Sequence, residues 1–386
     1  MHFFRLSLVV AILIGFTAGD LQAQKKKKTT SDDGYIPQVL PESKQKKKKE
    51  DETQKLPLPK EPPSAVTADT DRLAFQVSPL SPKGLLSQQI RDALRTLLRT
   101  SHGTILQMRA FVAGSGDLRR VGEITGEMFS EKHLPLPALS VVQVGALPLE
   151  GAQVIIETTE ADKKVVNPKG VAFLSGQAAP NVAQSLDHLK TGLRGAGLEP
   201  ADVLRATCFI SSLDQQRNTR DLMSASFPGA VLNYVQMQRE PVTPASECEA
   251  VARLRTVVPE GMSFLNPPNL DKSPNYSQIA LVSSAKLVIT GTQLAFGGQE
   301  GDLKLAFGRL EKALSSLNAR FDRVVMSHVY LMSSNLINSV RTVRAGYYTG
   351  KHPPASTMLP FEGLPSLDSQ MGVDVIAVLD SSGTQR

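Results

Sequence analysis

The chain is predicted to be an α+β protein of three tandem units, each a mixed sheet with two helices on one face. Three observations carry this. The first is a grammar that occurs three times: Pro137 to Val144, then Leu147-Pro148 and Ala152 to Glu157; Pro228 and Val231 to Met237, then Ser246 to Leu254; Pro354 to Leu359, then Leu364-Pro365 and Met371 to Leu379. Each copy is a helix end, a short strand, a turn and a closing strand with an acid. An ordered repeat of this kind marks an array of units that bury their faces on one another. The second is the alternation that precedes each copy, which reads strand, helix, strand, helix, strand, strand and places both helices on one side of one sheet. The third is size: 386 residues at 41% hydrophobic are too many for one small domain and suit two or three.

Taken in order, the chain opens on a predicted secretory signal over 1–23. His2 and Arg5 precede the apolar run Leu6 to Phe16, and Leu21-Gln22-Ala23 suits cleavage before Gln24. An uncleaved anchor is the competing reading, opposed by the shortness of the run. No later segment is apolar enough to span a bilayer, so a periplasmic or secreted protein is expected. Residues 24–70 are predicted to be a disordered tether, with Lys25 to Lys28, Lys46 to Lys49 and the proline-rich Leu56 to Pro63. Such composition buries too little apolar surface to offset its ordering entropy. A soluble spacer and attraction to an anionic surface both remain open for it. Much of the basic excess sits in the two lysine runs here, half of the formal charge of +6 falling within 24–70, so the folded part is closer to neutral.

The first unit (71–160) has a strand at Leu73 to Val77 and a helix with Leu86, Ile90, Leu94 and Leu97 on one face. A strand from Thr104 to Val112 and a helix from Leu118 to Ser130 follow. The second (165–259) has a strand from Gly170 to Gln177 and a helix with Val182, Leu186, Leu189 and Leu193, ended by Gly195-Ala196-Gly197. Then come a strand from Val203 to Ser211 and a helix from Gln215 to Ser226. The third (270–382) has strands at Gln278 to Val282 and Lys286 to Gln293. Its first helix carries Leu303, Phe307, Leu310, Leu314 and Leu317, and Arg323 to Leu331 and Ile337 to Tyr348 complete the alternation.

These units resemble the YjgF/RidA family. The likeness lies in strands ending Ser175-Gly176-Gln177 or Thr290-Gly291-Thr292-Gln293, the leucine-spaced helix, the Pro-Ala segment, the Leu-Pro turn and the acid-bearing last strand. It covers about Leu73 to Leu379. The resemblance implies a chorismate-mutase-like fold and a trimer with a cleft at each boundary. With three units on one chain, a monomeric intramolecular pseudo-trimer is the economical expectation, because linkage replaces association by a high effective concentration. Trimerisation between chains is the alternative.

The resemblance also implies hydrolysis of reactive imines and enamines derived from amino acids, with an arginine after the Pro-Ala pair holding the substrate carboxylate. A guanidinium presents a two-pronged donor matched to that group. Here those positions hold Leu139, Leu232 and Ser356, none of which can replace it. Tyr276 matches the family tyrosine, Thr290 and Ser175 the hydroxyl position, and Glu157, Glu249 and Asp374 the last acid. Arg341 and Arg344, on the second helix of the third unit, either bring the missing charge from another direction or are solvated helix arginines. In the resembled fold the closing strand lies beside the second strand of its unit, so Cys208 and Cys248, the only two cysteines, are either bridged or buried thiols.

Other chemistry finds little support. The six histidines show no ligand spacing, so no metal and no cofactor is expected, and His328 reads as structural. Aromatics make up 5% and Trp is absent, which disfavours nucleic acid. Two readings stand. One is a catalytically degenerate protein that binds a small molecule or a protein at its inter-unit clefts. The other is an atypical deaminase, acting on substrates such as iminobutanoate and iminopropanoate, with Tyr276, Thr290, Arg341 and Asp374 as its constellation.

Overall fold

The structure, a computed structural model, describes residues 60–214, 217–238 and 245–379. The predicted signal over 1–23 and the tether up to residue 59 lie outside the described residues. Along the chain, β1 (Ala65–Asp69) and β2 (Leu73–Val77) lead to α1 (Leu86–Thr100), β3 (Gly103–Ala113), α2 (Arg119–Glu131), β4 (Ala138–Val144) and β5 (Val154–Asp162). Next come β6 (Val171–Ala179), α3 (Val182–Gly195), β7 (Val203–Ile210), α4 (Thr219–Ser226), β8 (Val231–Gln236) and β9 (Ser246–Arg253). The remainder is β10 (Met262–Leu265), β11 (Ile279–Val282), β12 (Lys286–Thr290), β13 (Gln293–Phe296), α5 (Glu300–Ser315), β14 (Val324–Leu331), α6 (Ile337–Ala345), β15 (Ala355–Pro360) and β16 (Ser369–Val378).

Three mixed sheets form. The first runs β2-β5-β3-β4, the second β10-β11-β6-β9-β7-β8, and the third β1-β12-β16-β14-β15 with β13 also on β16. In each, one parallel pair (β3 with β4, β7 with β8, β14 with β15) stands among antiparallel ones. Two α-helices cover one face of each sheet. The leucine-spaced faces are buried there: Ile90, Leu94 and Leu97 in the first core, Leu186, Leu189 and Leu193 in the second, Leu303, Phe307 and Leu310 in the third. Strand alternation sends the other set of side chains to the opposite face, where the sheets meet one another.

Two findings correct the expected layout. Residues 65–69, read as tether, are a strand in full antiparallel register with β12, from Ala65 opposite Thr290 to Asp69 opposite Lys286. Lys286 Nζ closes this register 2.7 Å from Asp69 Oδ1. And β11, expected in the sheet of its own unit, joins the second sheet between β10 and β6. Its register runs tight against Gly170, whose φ of +100° and missing side chain let Val282 O approach; a Cβ there would lie 1.9 Å from that oxygen. The departure of β11 leaves one edge of β12 open, and β1 covers it. Edge pairing satisfies backbone donors without needing a particular side chain.

Backbone hydrogen bonds also run between sheets. Gly145 N donates to Gln236 O at 2.8 Å, Gln143 N to Gly363 O at 2.8 Å and Gln238 N to Pro360 O at 3.2 Å, so every pair of sheets is joined. Between them lie two apolar clusters. One combines Phe75, Phe173, Val251, Met326 and Ile376; the other stacks Phe111, Phe209 and Phe361 edge to face at 5.7–5.9 Å.

Cys208 and Cys248 stand opposite each other on β7 and β9, both toward the helices, and are joined by a disulfide of 2.07 Å. The bridge closes a separation of 40 residues inside a buried apolar core. Protein recovered from an oxidising compartment and unfolded without reductant is therefore expected to show no free thiol. Reduction is expected to cost about 2–4 kcal/mol of stability. Two titratable thiols per chain would contradict the bridge.

Candidate functional site

Where the sheets face one another, the strand registers bring polar groups into one layer. On β3 Arg109 lies opposite Glu157, on β7 Thr207 opposite Glu249, and on β14 His328 opposite Asp374. Their parallel neighbours are Ser140, Asn233 and Thr357. Residues two positions away enclose the layer, apolar but for the Tyr330 hydroxyl: Val231 and Val235 around Asn233, Ala355 and Leu359 around Thr357, Met326 and Tyr330 around His328.

Arg109 is the hub. Its Nη2 donates to Glu157 Oε2 at 2.6 Å and to Glu249 Oε1 at 2.7 Å, and its Nε to Glu157 Oε2 at 2.9 Å. Arg205 adds a second cation 3.8 Å from Glu157 and 3.9 Å from Glu249, with its guanidinium over the Phe75 ring. His328 stands between two acids, Nδ1 at 2.9 Å from Asp374 Oδ1 and Nε2 at 3.4 Å from Glu249 Oε2. Neutral donors take the remaining lone pairs. Thr207 and Asn233 each reach Glu157 at 2.7 Å, Thr357 reaches Glu249 at 2.6 Å, and Ser140 and Tyr330 reach Asp374 at 2.7 and 3.0 Å.

Burial by itself would push all three carboxyls up. The nearby cations outweigh it and hold Glu157 and Asp374 below their ordinary values and Glu249 well below. Burial lowers His328, but Glu249 and Asp374 more than restore it, so the imidazole is held above its usual pKa. Three carboxylates thus face Arg109, Arg205 and His328, and the layer is balanced in charge when the imidazole carries its proton. These acids are spent on one another's partners. Glu157, Glu249 and Asp374, expected to serve clefts, are instead buried cross-links between sheets.

The other sequence candidates lie at the seams. At the seam of the third and first sheets, Leu139 O accepts from Thr292 N at 3.1 Å. A Cβ on Gly291 would lie 2.9 Å from the same carbonyl oxygen. Thr290 is engaged there with the backbone of β16, accepting from Val375 N at 2.9 Å. At the seam of the second and third sheets, Ser175 Oγ donates to Ser277 O at 2.6 Å and accepts from Ser356 N at 2.8 Å.

Arg344 is 2% exposed, so it is no solvated helix arginine. Its Nη1 donates to Ser356 Oγ at 3.2 Å, its Nη2 bonds Asn275 O, and it lies 5.4 Å from the Tyr348 ring centroid. Arg341 is exposed and reaches Tyr276 only electrostatically. Tyr276 and Arg341 therefore belong to one seam, Thr290 and Asp374 to another. The four-residue constellation expected in the third unit does not assemble.

Glu247, which the sequence reading passed over, is half-buried against Gly176, where a Cβ would meet its Oε1 at 1.9 Å. Burial, and then Glu249 beside it, push its carboxyl up to about 8. Arg109 and Arg205 were also missed. The available signal was a charge inside an otherwise apolar strand, as in Met108-Arg109-Ala110, since arginine is rarely buried unpaired.

The seam of the first and second sheets stays open. A cleft of about 980 Å³ runs there, lined by Val77, Leu80, Ile155, Met223 and Leu232, with Arg220 and Tyr234 among its polar groups. At the third-to-first seam the recess is 280 Å³ and is bordered by Pro62, Pro63 and Ser64. Among the described residues no group of His, Cys, Asp and Glu is arranged to hold a metal ion. No described helix is long and apolar enough to cross a membrane.

Residues 269–379, less than a third of the chain, match the family model described as Endoribonuclease L-PSP. No curated protein matches the chain. Solved structures similar to part of it include a Rid-family protein of unknown function from Yersinia pestis, at 18% identity, covering 31% of this chain and 99% of that one, with a TM-score of 0.29. A YjgF-family member from Neisseria meningitidis matches at 12% identity over 31% of this chain and 96% of that one, TM-score 0.24. A YjgF-family protein from Mycobacterium tuberculosis matches at 19% over 31% and 99%, TM-score 0.23.

Proposed function

We propose that the chain carries three copies of one Rid-like unit closed into a ring, and that this ring binds small molecules at its clefts without the family's hydrolytic activity. The family match over 269–379 supports the likeness of the last unit. Equivalent registers, with an acid opposite Arg109, Thr207 and His328 in turn, support the two others as copies. The seams support closure, since Leu139 meets Thr292 and Ser356 meets Ser175, each joining one sheet to a neighbour. One observation carries the loss of catalysis. The positions for the carboxylate-holding arginine are Leu139, Leu232 and Ser356, while Glu157, Glu249 and Asp374 are buried in ion pairs.

Purified protein assayed with freshly generated iminobutanoate and iminopropanoate, beside an active family member, is expected to show no turnover above buffer. A rate typical of the family would reject the reading. Arg344 favours a second one, a weak deaminase at the second-to-third seam, because a guanidinium does arrive at Ser356. Activity that disappears in Arg344→Met and persists in Arg220→Gln would select it. Light scattering at low concentration is expected to give a one-chain mass, and a stable three-chain particle would contradict closure within the chain.

A further inference from the structure

We propose that the cleft between the first and second sheets takes a drug-sized amphipathic monoanion, an apolar body carrying one carboxylate or sulfonate that pairs with Arg220. This rests on the reading of the chain as a binding protein and adds the place and the ligand class.

The place follows from how unequal the seams are. At the third-to-first seam the chain covers itself: Ser64 O accepts from Gly291 N at 2.9 Å, and Pro62 and Pro63 border what remains. At the second-to-third seam Ser356 is bonded to Ser175 and capped by Arg344. Among the described residues the first-to-second seam has neither closure. Its 980 Å³ lies at the upper end of the range of about 300–1,000 Å³ in which drug-sized ligands are enclosed.

The class follows from the lining. Val77, Leu80, Ile155, Met223 and Leu232 give aliphatic walls, and burying an apolar body against them is favourable in proportion to the area removed from water. Arg220, on the first turn of α4, is among the described residues the only charged side chain lining the cleft. Asp221 beside it is not part of the lining. A lone guanidinium at an apolar cleft favours an anion, because paired donors on a charged group make the stronger hydrogen bonds. Tyr234, half-buried and lining the same cleft, has its phenol pushed up by burial, with Arg220 pulling the other way, and stays a neutral donor at physiological pH. The arginine comes from a helix and not from the strand bearing Leu232, so the head group sits differently from that of a substrate held by a strand arginine.

The test is a fluorescence titration of the folded full chain with anilinonaphthalene sulfonate, an apolar body with one anionic group, beside its uncharged analogue phenylnaphthylamine. The sulfonate is expected to bind with one-to-one stoichiometry. Arg220→Gln is expected to weaken it on the order of tenfold to a hundredfold while leaving the uncharged analogue unchanged. Ser224→Trp, a substitution at an exposed position on the cleft wall, is expected to weaken both by obstruction. Decanoate should displace the sulfonate and decylamine should not. Equal affinity of the two probes for the unaltered chain, or sulfonate binding indifferent to both substitutions, would overturn the proposal. Imine turnover bears on the binding-protein reading alone, so the two fail separately.

Discussion

Arg109→Met is expected to cost the fold about 3–5 kcal/mol, the range for removing one partner of a buried ion pair. Among the described residues, Arg109 is the only cation that hydrogen-bonds both Glu157 and Glu249, on two different sheets. Without it those carboxylates keep Arg205, at 3.8 and 3.9 Å and with no hydrogen bond to either. Methionine fills much of the volume, so the loss measures uncompensated charge and not a cavity. The measurement is the midpoint of denaturant unfolding, with the slope checked for constancy. The double substitution Arg109→Met with Glu249→Gln is expected to cost less than the sum of the single ones, by a coupling of about 0.5–3 kcal/mol. A loss under about 1 kcal/mol for Arg109→Met would show that the layer does not join the sheets.

Stability is expected to pass through a maximum in mildly acidic solution and to fall toward alkaline pH, for two groups in the space between the sheets. His328 has a folded pKa raised above the unfolded value of about 6.5, with Glu249 and Asp374 raising it and burial, with Arg109, opposing. Its contribution is therefore complete below that unfolded value and is lost as pH rises through the folded one. Glu247 adds to the same limb, since a carboxyl raised to about 8 in the fold but ionised far lower when unfolded favours unfolding as pH rises between the two.

On the acid side, Glu157, Glu249 and Asp374 have depressed folded values. Their contribution is present above the unfolded carboxylate range near pH 4 and fades as pH falls through the folded values. His328→Gln is expected to remove part of the alkaline decline while lowering the maximum. Glu247→Gln is expected to raise stability at about pH 8, because it removes a charge that burial and Glu249 oppose. Unfolding midpoints measured across the pH range decide this. An alkaline limb identical in the parent chain and both variants would reject the assignment.

Much of the fold was legible. Leu86, Ile90, Leu94 and Leu97 share a buried helical face because helix period is written locally in the spacing of apolar residues. The segments after Pro137, Pro228 and Pro354 became β4, β8 and β15, each the parallel partner of the strand before it in the unit. The clefts were anticipated at the seams, though not their inequality. That the strand ending at Leu232 borders an open cleft while Ser356 is capped by Arg344 depends on which side chains arrive from a neighbouring sheet.

The sequence by itself determined the order of the helices and of most strands, their apolar faces, and the absence of arginine at Leu139, Leu232 and Ser356. Only the tertiary structure decided that β1 closes the edge of β12, that β11 leaves for the second sheet, and that Arg109 meets an acid 140 residues away. The reason is one of range. Periodicity is a local property and survives in any stretch of a dozen residues. Edge pairing is made by backbone groups that every residue carries, and a buried charge layer becomes neutral only when strands far apart in sequence share one space.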